Sequence, residues 1–315
     1  MSKYNKLYDI LHCDIDIPNN DLAAWKKYPQ FNWIYNKLDL ALFQNIKAAP
    51  MPIKPSKLDC DFPVILKPII NLYGMGLNSK KINNLDEFFD HWHSNHFWME
   101  FFEGVHKSWD FILLNGQILF FLCFKGYADN KRLGRFWYWE SFNSDDIKKW
   151  NVFHNCNNNG IPNIIIKLIL EKFNNYSGCL NIETIDNKII ECHLRMGDLD
   201  LFPNLDLFRG IIQVYKNKPY SFHNNLIPKL FFIPMWIKKD APSSIFSYVQ
   251  DNMISSISSL PFVIDAEVDD PTLGGPGDFK RLLWISTHDF AQGKSFLRSL
   301  KKDLLCHFDI YISVI

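Results

Sequence analysis

Lys67 stands at the end of a short apolar run, Val64–Pro68, which predicts a buried strand ended by proline. A loop with Gly74, Met75 and Gly76 follows it. Glycine lets backbone N–H groups approach anionic oxygens closely, and an ammonium group neutralises their charge. This combination favours a polyphosphate at the strand end, although a solvent-facing lysine beside an ordinary turn would have the same spacing.

A second set of reactive side chains lies on a predicted β-hairpin made of residues 178–185 and 189–195. Strand alternation places Glu191, His193 and Arg195 on one face of the second strand. Glu183 is on the first strand. Two carboxylates from neighbouring strands, close to a lysine, are what Mg²⁺ needs to bridge nucleotide phosphates.

The loop of this hairpin decides whether the two carboxylates face each other. A three-residue loop, Asp186–Lys188, pairs Glu183 with Glu191, whereas a two-residue loop pairs Glu183 with Ile190 and puts the carboxylates on opposite faces. Like charges placed opposite each other destabilise a sheet unless a cation lies between them. The first register therefore favours a metal site, and a solvent-facing acidic pair is the alternative.

The elements that must position these side chains are a mixture of helices and strands. Helices are predicted over residues 21–27 (with Asn20 as N-cap), 35–46, 85–91 and 162–173, and strands over 64–68, 97–102, 108–114, 117–124, 178–185 and 189–195. The proline-rich stretch 48–63 is predicted to lack regular structure. In the last ~90 residues, apolar strands alternate with helical stretches, which indicates a small α/β unit. We divide the chain into an N-terminal extension (1–33), a central domain (34–219) and a C-terminal region (220–315).

Two further segments complete an ordered set of motifs. Asn36-Lys37 opens a predicted helix, and the run Met99–Asp110 reads MEFFEGVHKSWD. Together with Lys67 and its glycine loop, and with the strand that carries Glu191, His193 and Arg195, they resemble the ATP-grasp superfamily over residues 34–200. In that family, an early lysine precedes a strand lysine with a glycine-rich loop, a hinge of the type E-F-I-E-G-x-E-x-S-x-D and a metal strand of the type E-x-N-x-R.

The resemblance implies an α+β, ATP-grasp-like fold, in which two small α/β subdomains clasp a nucleotide and a C-terminal α/β region follows. It also implies a role for each matching residue. Lys37, Lys67 and the loop Gly74–Met75–Gly76 would contact the nucleotide phosphates; the backbone from Met99 through Glu100 to Phe102 would hold adenine; His106 would face the ribose; Glu183, Glu191 and His193 would form the metal site for Mg²⁺; and Arg195 would grip the transferred phosphate, acting with Lys67 in catalysis.

The sequence departs from the family pattern at three of these positions. His106 replaces the usual glutamate at the ribose, His193 replaces the usual asparagine on the metal strand, and Glu183 replaces the commoner aspartate. Imidazole is a poorer partner for Mg²⁺ than an oxygen ligand. The N-terminal domain of the family is also reduced to about 33 residues, which leaves the substrate side undefined.

The activity implied by the resemblance is that of an ATP-dependent carboxylate–amine ligase. ATP and Mg²⁺ would be its cofactors, and a small carboxylate and an amine its substrates. The resemblance is also compatible with a homodimer, because enzymes of this superfamily are often dimers. Three alternatives stay open: an ATP-grasp-type kinase that phosphorylates a hydroxyl, a nucleotide-binding protein without turnover, and a structural α/β protein in which the motif order is coincidental.

Composition narrows the remaining classes. The 315 residues contain 34 basic and 34 acidic side chains, so the formal net charge is zero. This balance argues against a protein that coats nucleic acid or an anionic membrane. The seven cysteines are scattered without a Cys-x-x-Cys pair, and the first 20 residues contain no apolar signal-peptide core. We therefore expect a cytoplasmic enzyme with neither nucleic acid nor membrane among its partners.

Overall fold

The structure, a computed structural model, describes residues 11–72, 76, 78–91, 93–129, 134–142, 160–197, 204–222, 229–272 and 275–315. Its α-helices are α1 Asp21–Lys27, α2 Lys37–Phe43, α3 Leu85–Asp90, α4 Asn163–Lys172, α5 Leu205–Tyr215, α6 Ser244–Asn252, α7 Ile254–Ser258 and α8 Phe290–His307. Its strands are β1 Ala48–Pro50, β2 Val64–Pro68, β3 Lys80–Ile82, β4 His96–Glu100, β5 His106–Leu114, β6 Gln117–Ala128, β7 Phe136–Phe142, β8 Gly178–Ile185, β9 Lys188–His193, β10 Phe231–Lys238, β11 Val263–Val268, β12 Phe279–Thr287 and β13 Ile312–Ser313.

The α+β class predicted from the sequence is confirmed. Helices and strands are mixed along the chain, and each strand pair whose register is described is antiparallel. None of the described helices combines the length and apolar character that crossing a bilayer requires.

Two predicted elements need correction. The proline-rich stretch 48–63 does contain regular structure: β1 (Ala48–Pro50) pairs with β4, and Pro55–Leu58 form a 3₁₀-helix. Proline is tolerated in β1 because this strand lies at the edge of its sheet and Pro50 is its last residue. The helix predicted over residues 35–46 is shorter, because Pro29–Tyr35 form a 3₁₀-helix and α2 begins only at Lys37.

The chain forms two compact units. The first contains residues 1–74, 78–124 and 142–227, and the second contains residues 75–77, 125–141 and 228–315. The residues described between 11 and 33 pack into the core of the first unit, where Ala24 of α1 is fully buried. The three-part division made from the sequence stays a prediction.

The first unit is built on two antiparallel arrangements of strands. Its small sheet has the order β1-β4-β2-β3, and β6-β5-β8-β9 run side by side in a larger sheet. Helix α4 and the 3₁₀-helix Pro29–Tyr35 contribute Ile165 and Ile34 to the core of this sheet, which also contains Trp109 of β5 and, just after α4, Phe173 and Tyr176. The hydrophobic contribution of such fully buried aromatic side chains is large, so the sheet that carries Glu183 and Glu191 rests on a well-packed core.

In the second unit, strands follow the order β11-β12-β10-β7, with β13 paired to β10. Helices α6, α7 and α8 contribute Ile245, Ile257 and Leu297 to its core, in which Ile285 of β12 is fully buried. This unit confirms the sequence pattern of apolar strands between helices in the last third of the chain.

Candidate functional site

Lys37 and Lys67 are both buried in the first unit and lie near the same strand of the hairpin. Asn36 caps α2 by accepting hydrogen bonds from the N–H groups of Leu38 and Asp39, both at 3.1 Å, which orients the first turn that carries Lys37. The Lys37 ammonium group lies 2.6 Å from Oε1 of Glu191. The Lys67 ammonium group, on β2, donates to the carbonyl oxygen of Ile190 at 3.3 Å.

The hairpin pairs Glu183 with Glu191, but not through the three-residue loop that the sequence suggests. The loop is the two-residue turn Asp186-Asn187, with Ile185 opposite Lys188, and both loop residues have positive φ (45° and 67°). Ile189 pairs with Thr184 and Glu191 with Glu183, so Ile190 is one extra residue on β9 and forms a β-bulge. The bulge restores the register that a two-residue loop alone would lose.

This bulge also explains which side chains of β9 lie in the apolar core and which lie on the side of the two lysines. Ile189 and Cys192 are both buried in the apolar core behind the sheet, and Glu191 and His193 lie on the side of the two lysines. Strict alternation could not bury Ile189 and Cys192 together, because they are an odd number of residues apart. The bulged carbonyl of Ile190 is the acceptor for Lys67.

Glu183, Glu191 and His193 converge as possible metal ligands. One ligand atom from each lies within 4.8 Å of the other two. Each carboxylate already has a protein partner, because His106 lies 2.9 Å from Glu183 and Lys37 lies 2.6 Å from Glu191. Oxygen-rich ligand sets of this kind suit hard divalent cations, and the imidazole adds one softer donor.

The electrostatic environment keeps Glu183 ionised. Burial alone would raise the pKa of its carboxyl group, but the hydrogen bond and charge of His106, together with the charges of His193 and Lys37, outweigh burial and lower it. Glu183 therefore stays an anionic acceptor well below neutral pH.

Lys67 is shifted in the direction typical of buried amines. Burial, and then the neighbouring charge of Lys37, lower the pKa of Lys67 to about 8, although the charges of Glu191 and Glu183 oppose this shift. An ammonium group with little solvent around it interacts strongly with an incoming anion.

Asp21 is a member of this cluster that the sequence analysis misses. It is buried at the start of α1, and its Oδ1 lies 3.0 Å from Nδ1 of His193. Arg195 donates to both of its oxygens, from Nε at 3.0 Å and from Nη2 at 3.1 Å. Burial would raise the pKa of Asp21, but the charges of Arg195 and His193 hold it far below its usual range. Acidic residues are common in the first turn of helices, so nothing in the sequence sets Asp21 apart.

Arg195, predicted to grip the transferred phosphate, is thus engaged by the protein itself. Besides its two bonds to Asp21, it donates from Nη1 to the carbonyl oxygen of Met196 at 2.9 Å. Tyr35 supports the same segment, because its hydroxyl accepts from the N–H of Leu194 at 3.2 Å.

Gln44, just after α2, fastens that helix to the edge strand β9. Its side-chain amide donates to the carbonyl of Ile189 at 2.8 Å and accepts from the N–H of Ile189 at 2.7 Å. It thereby replaces the hydrogen bonds of a neighbouring strand. This contact holds α2, and with it Lys37, beside Glu191.

A buried polar cluster around Asp110 binds the backbone at Gly197, which follows β9. Asp110 accepts from the Asn181 side chain at 3.0 Å and from the N–H of Gly197 at 2.8 Å, and Asn181 also donates to Ser108 at 2.8 Å. A Cβ atom at position 197 would lie 2.3 Å from the Asn181 amide nitrogen, so only glycine fits there. Ser108 and Asp110 are the S-x-D of the hinge motif, and both contact the Asn181 side chain.

Two further sets of predicted residues are those expected to contact adenine and those of the predicted phosphate loop. Met99 lies inside the small sheet, paired with Ala48 and Ile65, and the N–H of Glu100 donates to the Lys47 carbonyl at 3.0 Å. Phe102 follows the end of β4. Gly74 and Met75 lie outside the described residues. Gly76 has φ of +60° and is exposed, which fits a turn that favours glycine. Their roles stay predictions.

Comparison with known proteins connects this geometry to a fold. No family model matches the sequence, and no curated protein matches it either. Similar solved structures include an L-amino acid ligase from Bacillus licheniformis (TM-score 0.54, 10% identity, 90% of this chain and 73% of that one). They also include an N5-carboxyaminoimidazole synthase from Aspergillus clavatus in complex with ADP and 5-aminoimidazole ribonucleotide (0.58, 11%, 95% and 79%) and a biotin carboxylase from Campylobacter jejuni (0.52, 11%, 99% and 73%).

These neighbours are ATP-grasp enzymes, and the fold of this chain is the ATP-grasp superfamily fold. The resemblance inferred from four short motifs is thereby confirmed. At 10–12% identity the likeness shows the fold alone.

Proposed function

We propose that the protein is an ATP-dependent ligase that activates a carboxylate as an acyl phosphate and joins it to an amine. The observation that supports this proposal is the convergence of Lys37, Lys67, Glu183 and Glu191 within one unit of an ATP-grasp fold. The neighbours described as an L-amino acid ligase and a carboxyaminoimidazole synthase support the same class of reaction.

The proposed reaction has two balanced steps. A carboxylate oxygen of the first substrate attacks the γ-phosphorus of ATP, the bond from that phosphorus to the β,γ-bridging oxygen breaks, and ADP leaves. The nitrogen of the amine then attacks the acyl carbon, the bond from this carbon to the phosphate oxygen breaks, and phosphate leaves as the nitrogen gives up a proton. No covalent protein nucleophile is needed, so the protein contributes positioning and charge stabilisation.

Each charged residue has a distinct task in this scheme. Lys37 and Lys67 bind the phosphates, and Arg195 stabilises the charge on the transferred phosphate. Glu183, Glu191 and His193 hold a divalent cation, which when bound neutralises phosphate charge. The donor set fits such an ion, because the two carboxylates face each other across β8 and β9 with the imidazole beside them.

A hydroxamate assay tests the proposal directly. ATP, Mg²⁺ and a panel of amino acids and small carboxylates are supplied with hydroxylamine as the amine, and ADP and hydroxamate are measured. We expect ADP release that depends on one carboxylate, with hydroxamate formed in equal amount. ADP release with a phosphorylated hydroxyl compound and no hydroxamate would indicate a kinase instead. Absence of ADP release with every substrate, together with absence of nucleotide binding, would refute the proposal.

A nucleotide-binding protein without turnover is the second candidate. It is favoured by the protein partners that the predicted site residues already have: Lys37 pairs with Glu191, His106 with Glu183, and Arg195 with Asp21. Calorimetry with ATP separates the two candidates, because tight ATP binding without ADP formation from any substrate would support this second function.

A further inference from the structure

His193 lies between two carboxylates that contact its two ring nitrogens. Nδ1 is 3.0 Å from Oδ1 of Asp21, and Nε2 is 3.6 Å from Oε1 of Glu191. The ring is almost completely buried and packs edge-on against Tyr35, with the ring centres 6.3 Å apart. Its orientation is therefore fixed by contacts on several sides.

Asp21 is suited to fix the tautomer of this histidine. Arg195 binds both oxygens of its carboxylate, and the Tyr35 hydroxyl lies 3.4 Å from Oδ1. A carboxylate held by a guanidinium group in this way accepts hydrogen bonds and donates none. The N–H at Nδ1 of His193 thus has a fixed acceptor in Asp21, and Nε2 is the ring nitrogen that faces Glu191.

The spacing of the ligand atoms is close to what one shared ion requires. Two atoms bound to the same ion at ~2.1 Å are ~3.0–4.2 Å apart, depending on the angle between them. The separation of 3.6 Å between Nε2 of His193 and Oε1 of Glu191 lies within that range. The full set of three lies within 4.8 Å, so its widest separation exceeds the upper limit of that range by at most about 0.6 Å.

We propose that Asp21 is a positioning residue that presents His193 Nε2 as a nitrogen ligand, and that the site therefore prefers a divalent first-row transition ion to Mg²⁺. A carboxylate behind a ligating imidazole fixes the ring and raises its basicity. Mg²⁺ prefers six oxygen ligands, whereas transition ions accept imidazole readily. This inference rests on the proposed function, because the ion would serve the same nucleotide site.

The test uses Mn²⁺ as probe because it is paramagnetic. It is also the weakest binder of the divalent first-row transition ions, which makes the comparison with Mg²⁺ stringent. Pulsed electron paramagnetic resonance of the full chain with Mn²⁺, alone and with a non-hydrolysable ATP analogue, detects a nitrogen bound to the ion. We expect a nitrogen coupling that changes when the histidines are isotopically labelled, and that disappears in His193→Asn. Labelling distinguishes histidine from nucleotide nitrogen, and the wild-type spectrum is decisive even if a variant fails to fold.

Equilibrium titrations complete the test. Mn²⁺ should bind the wild-type protein at least ~10-fold more tightly than Mg²⁺, and His193→Asn, which restores an oxygen ligand, should reduce that ratio. Asp21→Asn should weaken Mn²⁺ binding by ~10–100-fold and weaken the histidine nitrogen coupling. Mn²⁺ that does not bind, that binds without histidine nitrogen, or that binds no more tightly than Mg²⁺ would overturn the inference.

The two proposals can fail separately. A protein that binds Mn²⁺ through His193 but never consumes ATP retains the metal inference and loses the ligase assignment. Ligase turnover with Mg²⁺, without nitrogen coupling to Mn²⁺, gives the opposite result.

Discussion

Lys67 and Lys37 are two buried ammonium groups with different partners. Lys37 has the carboxylate of Glu191 as a partner, whereas Lys67 donates to a neutral carbonyl. Burial and the charge of Lys37 lower the pKa of Lys67, which means that its charged form is less stable in this structure than in water. Phosphate oxygens would supply the missing negative charge.

Replacing Lys67 should therefore change nucleotide affinity and the free energy of unfolding in opposite directions. In Lys67→Met we expect nucleotide affinity to fall by ~10–100-fold, because a charge-assisted hydrogen bond is lost. The free energy of unfolding should rise by ~1–2 kcal/mol, because a buried cation beside Lys37 is removed. Calorimetry and urea unfolding measure the two quantities. Lys57→Met, at an exposed lysine, is the control, and equal losses of affinity in both variants would contradict the assignment.

The pH dependence of binding should follow the same residue. The pKa of Lys67 is about 8 in the folded chain against a reference value of 10.5. Between these values the unfolded chain binds more protons, so the contribution of Lys67 to stability rises with pH. Nucleotide affinity should instead fall as pH rises through about 8, because the amine loses its charge. Calorimetry across this range should show the fall in the wild type and a flatter profile in Lys67→Arg; an equally flat wild-type profile would exclude the role.

At the scale of elements, the hairpin β8–β9 and helix α2 together determine which side chains meet. The bulge at Ile190 places Glu191 opposite Glu183, and Gln44 fastens α2 to the outer edge of β9. Both features act through the backbone. A change in either would move Lys37 relative to the two carboxylates without altering a charged residue.

Gln44→Leu tests this connection. The N–H and C=O of the buried Ile189 would lose their partners, so we expect the free energy of unfolding to fall by ~2–4 kcal/mol. Nucleotide affinity should fall as well, because Lys37 is no longer held beside Glu191. Urea unfolding and calorimetry follow both effects. Gln117→Leu, at an exposed position of β6, should change neither, and a Gln44 variant as stable as this control would contradict the account.

The hairpin also shows what local sequence reasoning can and cannot predict. The β8 limits predicted from the sequence are confirmed. Glu183 does face Glu191, but the three-residue loop on which that register depended is wrong, because a two-residue loop and a bulge produce the pairing. The two-residue loop with a bulge could not be predicted, because Ile189 and Ile190 are the same residue type and both suit a strand. Asp21 and Gln44 were missed for a related reason: they reach the site through tertiary packing across more than 140 residues of sequence.

At the scale of the whole molecule, the ATP-grasp fold was predictable because four motifs occur in a fixed order along the chain. Each motif is short, yet together they restrict the topology. The grouping of residues 125–141 with the C-terminal part was not predictable, since β6 is one continuous strand through which the chain passes from one unit to the other. The charged groups proposed to bind the nucleotide all belong to the first unit.

Residues 75–77, which include Gly76 of the predicted phosphate loop, are grouped with the second unit, but none of the charged groups is. A core substitution elsewhere in the second unit should therefore affect stability far more than nucleotide affinity. Leu297 on α8 is fully buried, and Leu297→Ala should lower the free energy of unfolding by ~2–5 kcal/mol. Nucleotide affinity, measured well below the unfolding temperature, should stay within about threefold of the wild type. Leu305→Ala, at a position of the same helix that is 43% exposed, is the matched control. A large loss of affinity in Leu297→Ala would show that the second unit contributes to nucleotide binding.

The central claim is that the first unit binds a nucleotide through its phosphates, and calorimetric titration of the wild-type chain tests it most directly. With a divalent cation present, a non-hydrolysable ATP analogue should bind, and AMP should bind at least ~10-fold more weakly because it lacks the phosphates that Lys37 and Lys67 are proposed to hold. Equal affinity for the two nucleotides, or no binding of the analogue with either Mg²⁺ or Mn²⁺, would contradict the account.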